Sequence, residues 1–92
     1  MTRIVYHRNA LKDLEAIRSY IARDNPDAAN HVVARIRQAT ERLKSFPFSG
    51  RSGPGGVRLL SVSGLPYIVI RRIRDDTIRI VAVFHTSRNR RF

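Results

Sequence analysis

The run from Thr77 to Arg88 limits most sharply what this chain can fold into. Read at a period of two, Ile78, Ile80, Ala82 and Phe84 share one face, and that face is wholly apolar. The alternate residues, Thr77, Arg79, Val81, Val83 and His85, are mixed and grow more polar toward the end. A strand so patterned needs one face on a core and leaves the other to solvent or a partner. His85 and Arg88 follow directly, and these are residue types well suited to act on a phosphate or an acidic surface.

The upstream segments read as the rest of that core. Arg3-Ile4-Val5-Tyr6 is a β-branched run that predicts a first strand, with Ile4 and Tyr6 on one face. Asn9 or His7 offers a helix cap, and Ala10, Leu14, Ile17 and Ile21 then recur at helical spacing over about four turns. Asp24-Asn25-Pro26-Asp27 ends this helix and starts another, with Asn25 as cap and Pro26 at the first helical position. The second stripe runs through Ala29, Val32, Val33, Ile36, Ala39, Leu43 and Phe46 until Pro47 stops it. So short a linker predicts an antiparallel helical hairpin. A glycine-rich loop, Phe48 to Gly56, leads to segments Val57–Val62, Tyr67–Ile73 and Thr77 onward, separated by turns at Ser63–Pro66 and Arg74–Asp76. The expectation is an α+β domain of order βααβββ: an N-terminal strand and a helical hairpin packed on an antiparallel sheet.

At 92 residues the chain is expected to be one domain, 1–92. The longest apolar stretch, Ile80 to Phe84, is far too short to cross a bilayer, so a cytoplasmic location and no membrane contact are expected. Charge is the informative part of the composition. Eighteen basic residues against seven acidic ones give a net charge of +11, and only Lys12 and Lys44 are lysines. From Pro47 onward, nine arginines face only Asp75 and Asp76. Such a field attracts nucleic acid or an acidic protein that covers it.

Several chemistries are unsupported. There is no cysteine, so disulfides and thiolate metal sites are impossible. His7, His31 and His85 fall on separate elements with no ligand spacing, so neither a metal nor a cofactor is expected. No serine sits in a recognisable nucleophile turn, and the acids cluster at helix ends and in the Asp75-Asp76 turn. What remains is an arginine-lined open face with one histidine. It could stabilise charge in phosphoryl transfer, with His85 as proton carrier, or grip an acidic peptide by bidentate pairs.

Three series of residues narrow the choice. The first is Ala10-x-x-Asp13-Leu14-x-x-Ile17-x-x-Tyr20-Ile21-Ala22, then Asp24-Asn25-Pro26-x-Ala28-Ala29. The second is Leu43-x-x-Phe46-Pro47-x-x-Gly50-Arg51, then Val57-Arg58 and Pro66-Tyr67-Ile68-Val69-Ile70. The third is the closing Ile78-x-Ile80-x-x-Val83-x-His85-x-x-Arg88. Together they resemble the RelE/ParE superfamily of type II toxin–antitoxin toxins, in order and over nearly the whole chain. The resemblance implies a bacterial toxin neutralised by an acidic antitoxin, whose C-terminal segment often covers the groove between hairpin and sheet. Leu14, Ile17 and Ile21, with Arg72, Arg79 and Arg88, would then bind antitoxin or target.

Two activities occur in that superfamily. RelE-like members cut messenger RNA in the ribosome, without a metal, and the catalytic residues here would be Arg58, His85 and Arg88. ParE-like members poison DNA gyrase and are not known as nucleases. The position two after Arg58 is Leu60, the middle strand offers Ile68 and Ile70, and the tail Asn89–Phe92 has neither Tyr nor His. This incomplete basic set places the chain nearer the ParE-like side, with the ribosomal nuclease as alternative. Arg71 stands where the superfamily commonly has Tyr or Phe, and the sequence does not say what it does there.

Overall fold

The computed structural model describes residues 2–87, so the expected roles of Arg88 and the tail lie outside the described residues. The order is β1 (Arg3–Tyr6), α1 (Arg8–Ala22), α2 (Pro26–Glu41), β2 (Arg51–Ser52), β3 (Arg58–Ser61), β4 (Tyr67–Arg74) and β5 (Thr77–His85). Both helix starts follow their caps. His7 Nδ1 accepts from the Asn9 N–H at 3.2 Å, and Asn25 Oδ1 accepts from the Ala28 N–H at 3.0 Å with Pro26 beside it. α2 ends sooner than its apolar stripe suggests, passing at Glu41 into a 3₁₀ turn, Arg42–Lys44, that still buries Leu43.

The α+β class holds, but a short strand, β2, forms within the expected Phe48–Gly56 loop and makes the order βααββββ, and the sheet is mixed, with strand order β1-β5-β4-β3-β2. β2 to β5 are antiparallel, whereas β1 lies parallel to β5 with Ile4 opposite Ile78 and Tyr6 opposite Ile80. Hairpin turns dictate antiparallel neighbours, but no turn joins β1 to β5, so nothing local sets its direction. Nor do the helices form a simple packed hairpin. Each turns its stripe onto the sheet, and Ala10, Leu14 and Ile36 share one core with Leu43, Val69, Ile78 and Ile80.

A second correction concerns β5. Its register with β4 slips between Ile70 and Arg71: Ile70 faces Ala82 while Arg71 faces Ile80, leaving Val81 as an extra residue. A bulge of this kind reverses which residues face inward. Ile78 and Ile80 therefore face the helices, but beyond the bulge Val83 takes over that side. Ala82 and Phe84 turn to the opposite face, where Phe84 joins Val57, Leu59 and Ile70 in a second apolar cluster. The single wholly apolar face expected for this strand is thus divided between two cores.

Polar contacts fix the layers. Thr40 is fully buried and donates to the Arg37 carbonyl at 2.8 Å, which leaves its oxygen to accept from the Tyr6 hydroxyl. The Arg37 guanidinium lies 4.9 Å from the Tyr6 ring centre. Gly50, at φ +91°, turns the chain into β2, and a Cβ there would sit 2.0 Å from the Leu59 carbonyl oxygen. No described helix is long and apolar enough to cross a membrane.

Ile80 is fully buried and Leu43 is 1% exposed. Truncating either to alanine is expected to destabilise the fold by about 2–5 kcal/mol, from lost burial and the cavity left behind. Chemical denaturation monitored by circular dichroism measures this directly, and a shift near zero would place that side chain outside the core.

Candidate functional site

Beyond Tyr6, β1 ends and β5 continues alone on that edge, where α1 crosses it. An open edge leaves backbone donors without partners. Asp13 of α1 meets one of them, its Oδ2 accepting the Val83 N–H at 2.9 Å. Between the two elements runs a groove of about 250 Å³, lined by Asp13, Ala16, Ile17, Tyr20, Tyr67, Val83, Phe84, His85 and Ser87. Tyr20 is 65% exposed and Ile17 half-buried, so the wall toward α1 is apolar and accessible. Ile21 is also half-buried, one turn further on. Leu14 is different: at 3% exposure it is a core residue and offers no surface to a partner, because α1 turns it down onto the sheet.

His85 stands at the end of this groove. Its Nδ1 accepts from the Ser87 N–H at 3.0 Å, which puts the proton of the neutral ring on Nε2. The Ser87 hydroxyl lies 2.7 Å from the same nitrogen, and the ring meets the buried Tyr67 edge-on at 5.3 Å. No arginine or lysine is among the described residues that line the groove.

Arg58 is elsewhere. It pairs in register with Arg71, while His85 pairs with Tyr67. Two strand spacings and four residues of β4 therefore separate Arg58 from His85, on the order of 15 Å. Its guanidinium is occupied, donating to Ser52 Oγ at 3.1 Å and the Phe48 carbonyl at 2.7 Å, and it lies 5.5 Å from the Phe48 ring centre. The expected grouping of Arg58 with His85 does not form.

Arg71, whose role the sequence left open, is fully buried. It shares the helix-facing side of β4 with Tyr67, Val69 and Ile73, and its Nη2 donates to the Pro47 carbonyl at 2.8 Å and to the Ser49 carbonyl. Nε and Nη1 of Arg71, and Nε of Arg58, have no hydrogen-bond partner. Burial first, and the Arg58 charge second, lower the Arg71 pKa well below the ordinary guanidinium range, to about 10. The two arginines thus hold the Pro47–Gly50 loop to the sheet through its carbonyls, with no carboxylate in the arrangement.

Arg72 and Arg79 lie opposite one another on the far face of the sheet, away from the helices and both exposed. No group of three or more His, Cys, Asp or Glu residues that could hold a metal occurs among the described residues.

A groove of aromatic and aliphatic walls beside a strongly basic sheet suits a protein that is clasped by another protein. Comparison with known proteins agrees: a family described as the ParE toxin of type II toxin-antitoxin system, parDE, matches residues 4–90. The chain belongs to this toxin family. It is 43% identical over 84 residues to Y4kP of Sinorhizobium fredii, covering 90% of this chain and 86% of that protein. It is also 34% identical over 88 residues to toxin RelE2 of Caulobacter vibrioides, covering 96% of this chain and 99% of that protein. Its fold matches a chain of the chromosomal ParDE TA system from P. aeruginosa with a TM-score of 0.84 at 26% identity, over 95% of this chain and 98% of that one.

Because folding lowers the Arg71 pKa, the buried charge opposes folding by a constant amount below about pH 10, and this opposition is relieved only as pH climbs from there toward the ordinary guanidinium range. Arg71→Leu is therefore expected to keep or raise the denaturation midpoint at neutral pH, while trypsin cleavage after Arg51 accelerates as the loop loosens. A loss of more than about 2 kcal/mol in unfolding free energy would instead mean that the carbonyl bonds outweigh the cost of burying the charge.

Proposed function

We propose that this toxin acts in the ParE manner, by binding DNA gyrase rather than by cutting RNA, and that an acidic antitoxin neutralises it from the α1–β5 groove. The observation that carries this reading is the composition of the groove around His85. Cleaving a phosphodiester without a metal needs cations beside the proton carrier, to stabilise the charge that develops on phosphorus-bound oxygens. The groove presents Ile17, Tyr20 and Tyr67 instead, with the Asp13 carboxylate, and Arg58 is tied to its loop. Aromatic and aliphatic anchors of this kind are what a helix or extended segment of a protein partner fills.

Antitoxin affinity should then come from the apolar groove, and the speed of encounter from the basic surface, Arg72 and Arg79 included. Raising salt from low to physiological strength is expected to slow association, and Ile17→Asp to speed dissociation. Stopped-flow fluorescence separates the two rates. An association rate indifferent to salt would rule out electrostatic steering.

Induced expression is expected to arrest growth with DNA-damage signalling, and purified toxin to inhibit gyrase supercoiling until antitoxin is added. Mapping of messenger RNA on translating ribosomes should show no A-site cuts. Discrete cuts that disappear in His85→Ala or Arg88→Ala, with gyrase unaffected, would reverse the assignment in favour of the ribonuclease.

A further inference from the structure

The sheet face turned away from the helices carries a second feature, which an antitoxin seated in the groove would leave uncovered even where its charge speeds the encounter. Across β1, β5 and β4 the register sets Arg3, Thr77 and Arg74 in one row, and Val5, Arg79 and Arg72 in the next. Ile4, Tyr6, Ile73, Ile78 and Ile80 fill the helix-facing core, so the alternate residues of all three strands share the opposite face. Arg3, Arg72, Arg74 and Arg79 are exposed there. Of their guanidiniums only that of Arg72 is engaged, donating to the Gly55 carbonyl, and none is paired with an acid among the described residues.

This arrangement is unfavourable for the protein by itself. Like charges directly opposite on neighbouring strands repel, and Arg72 and Arg79 are such a pair. The nearest carboxylates, Asp75 and Asp76, sit in the turn at the margin of the patch and form no ion pair with it. A ligand that brings several negative charges at regular spacing removes the repulsion. The two rows lie about 6.8 Å apart along the strands, and neighbouring strands about 4.8 Å apart. That lattice is comparable to the step between successive phosphates along a nucleic-acid strand.

We propose that this face binds the phosphate backbone of duplex DNA. Between the two polyanions that could satisfy four arginines, an acidic protein segment is disfavoured because the arginine rows offer it almost no anchor, the apolar cluster of this face beginning only past the bulge, at Ile70 and Ala82. Val5 and the Thr77 methyl are the only apolar groups in the two rows, whereas protein interfaces draw their affinity from buried aromatic and aliphatic side chains. Single-stranded nucleic acid is disfavoured because neither row contains an aromatic ring on which a base could stack. Arg72, Arg74, Thr77 and Arg79, with Asp75 at the rim, line an open concavity of about 560 Å³, and contacts from such guanidiniums to a backbone carry no base reading. The patch and the α1–β5 groove lie on opposite faces of the sheet, so each can be filled without the other.

The test uses purified toxin and a short random-sequence duplex, with binding followed by fluorescence anisotropy across a salt series. Gyrase is absent, so failure here is separate from failure of the gyrase reading. Each phosphate contact contributes about 0.9 to the slope of log affinity against log salt. Replacing Arg3, Arg72, Arg74 and Arg79 by Gln should therefore make the slope shallower by roughly 3 to 4 and weaken binding at low salt at least tenfold. A control variant loses the same charge from exposed helix-layer positions, Arg8, Lys12, Arg23 and Arg42, and should keep the wild-type slope. Circular dichroism and the denaturation midpoint confirm folding of both, and relief of the Arg72–Arg79 repulsion should leave the patch variant at least as stable as the parent. Equal loss of slope in the two variants would reduce the effect to diffuse charge and overturn the proposal. An unchanged slope in the patch variant, with weakened antitoxin binding, would overturn it in favour of a protein-docking face.

Discussion

The fold turns on the bulge at Val81, because β5 has to serve two cores in succession. Its first half, between β1 and β4, must present Ile78 and Ile80 to the helices. Its second half has lost β1, and needs both a substitute partner for its free edge and an inward residue under α1. One extra residue supplies the change of face, and the Asp13 carboxylate supplies the edge partner at Val83. The same step turns Phe84 onto the second core and brings His85 to the helix side beside Tyr67. The groove is therefore a product of the bulge: with a regular ladder, Ala82 and not Val83 would lie beneath α1.

Charge is distributed in two different ways over the sheet. On the helix side, Arg58 and Arg71 face inward and use their donors on loop carbonyls, so their charge acts as structure. On the other side, Arg72 and Arg79 are exposed and keep their charge at the surface, Arg72 with one donor on the Gly55 carbonyl. Adjacent residues of one strand, Arg71 and Arg72, thus belong to opposite regimes, because a pleated strand sends neighbours to opposite faces. A net charge of +11 does not by itself reveal this division.

Much of the architecture was legible in the sequence because it rests on local rules. The Asn25-Pro26 cap, the stripes of α1 and α2 and the hairpin turns of β3 to β5 follow from spacing and turn chemistry. The features that escaped are non-local. Period two carries no mark of a bulge when Val81, Ala82, Val83 and Phe84 are all apolar, since either face then looks suitable. The direction of β1 is set by a partner more than seventy residues away. Arg71 could have been placed: Tyr67, Val69 and Ile73 occupy the alternate positions of its strand, so period two already assigns it to the buried side. What no pattern supplied was its partner, since the Pro47 and Ser49 carbonyls belong to any sequence. Among the candidate site residues, Ile17 and His85 do meet in one groove, while Leu14 was lost to the core.

The parallel pairing of β1 with β5 has a consequence for the birth of the molecule. Ile4 and Tyr6 are synthesised before either helix, yet the strand they lie beside is the last one made. Contacts so distant in sequence form late, because a long loop must close before they return any stabilisation. A nascent chain can assemble its helices and the β3–β4 hairpin early, but neither the strand that joins β1 to the sheet nor the groove exists until Thr77–His85 emerges from the ribosome. The groove proposed for the antitoxin is formed from α1, one of the first elements translated, and β5, the last of the described strands. A translation product cut short before Thr77 would carry no such groove, and only a molecule translated through His85 would present it.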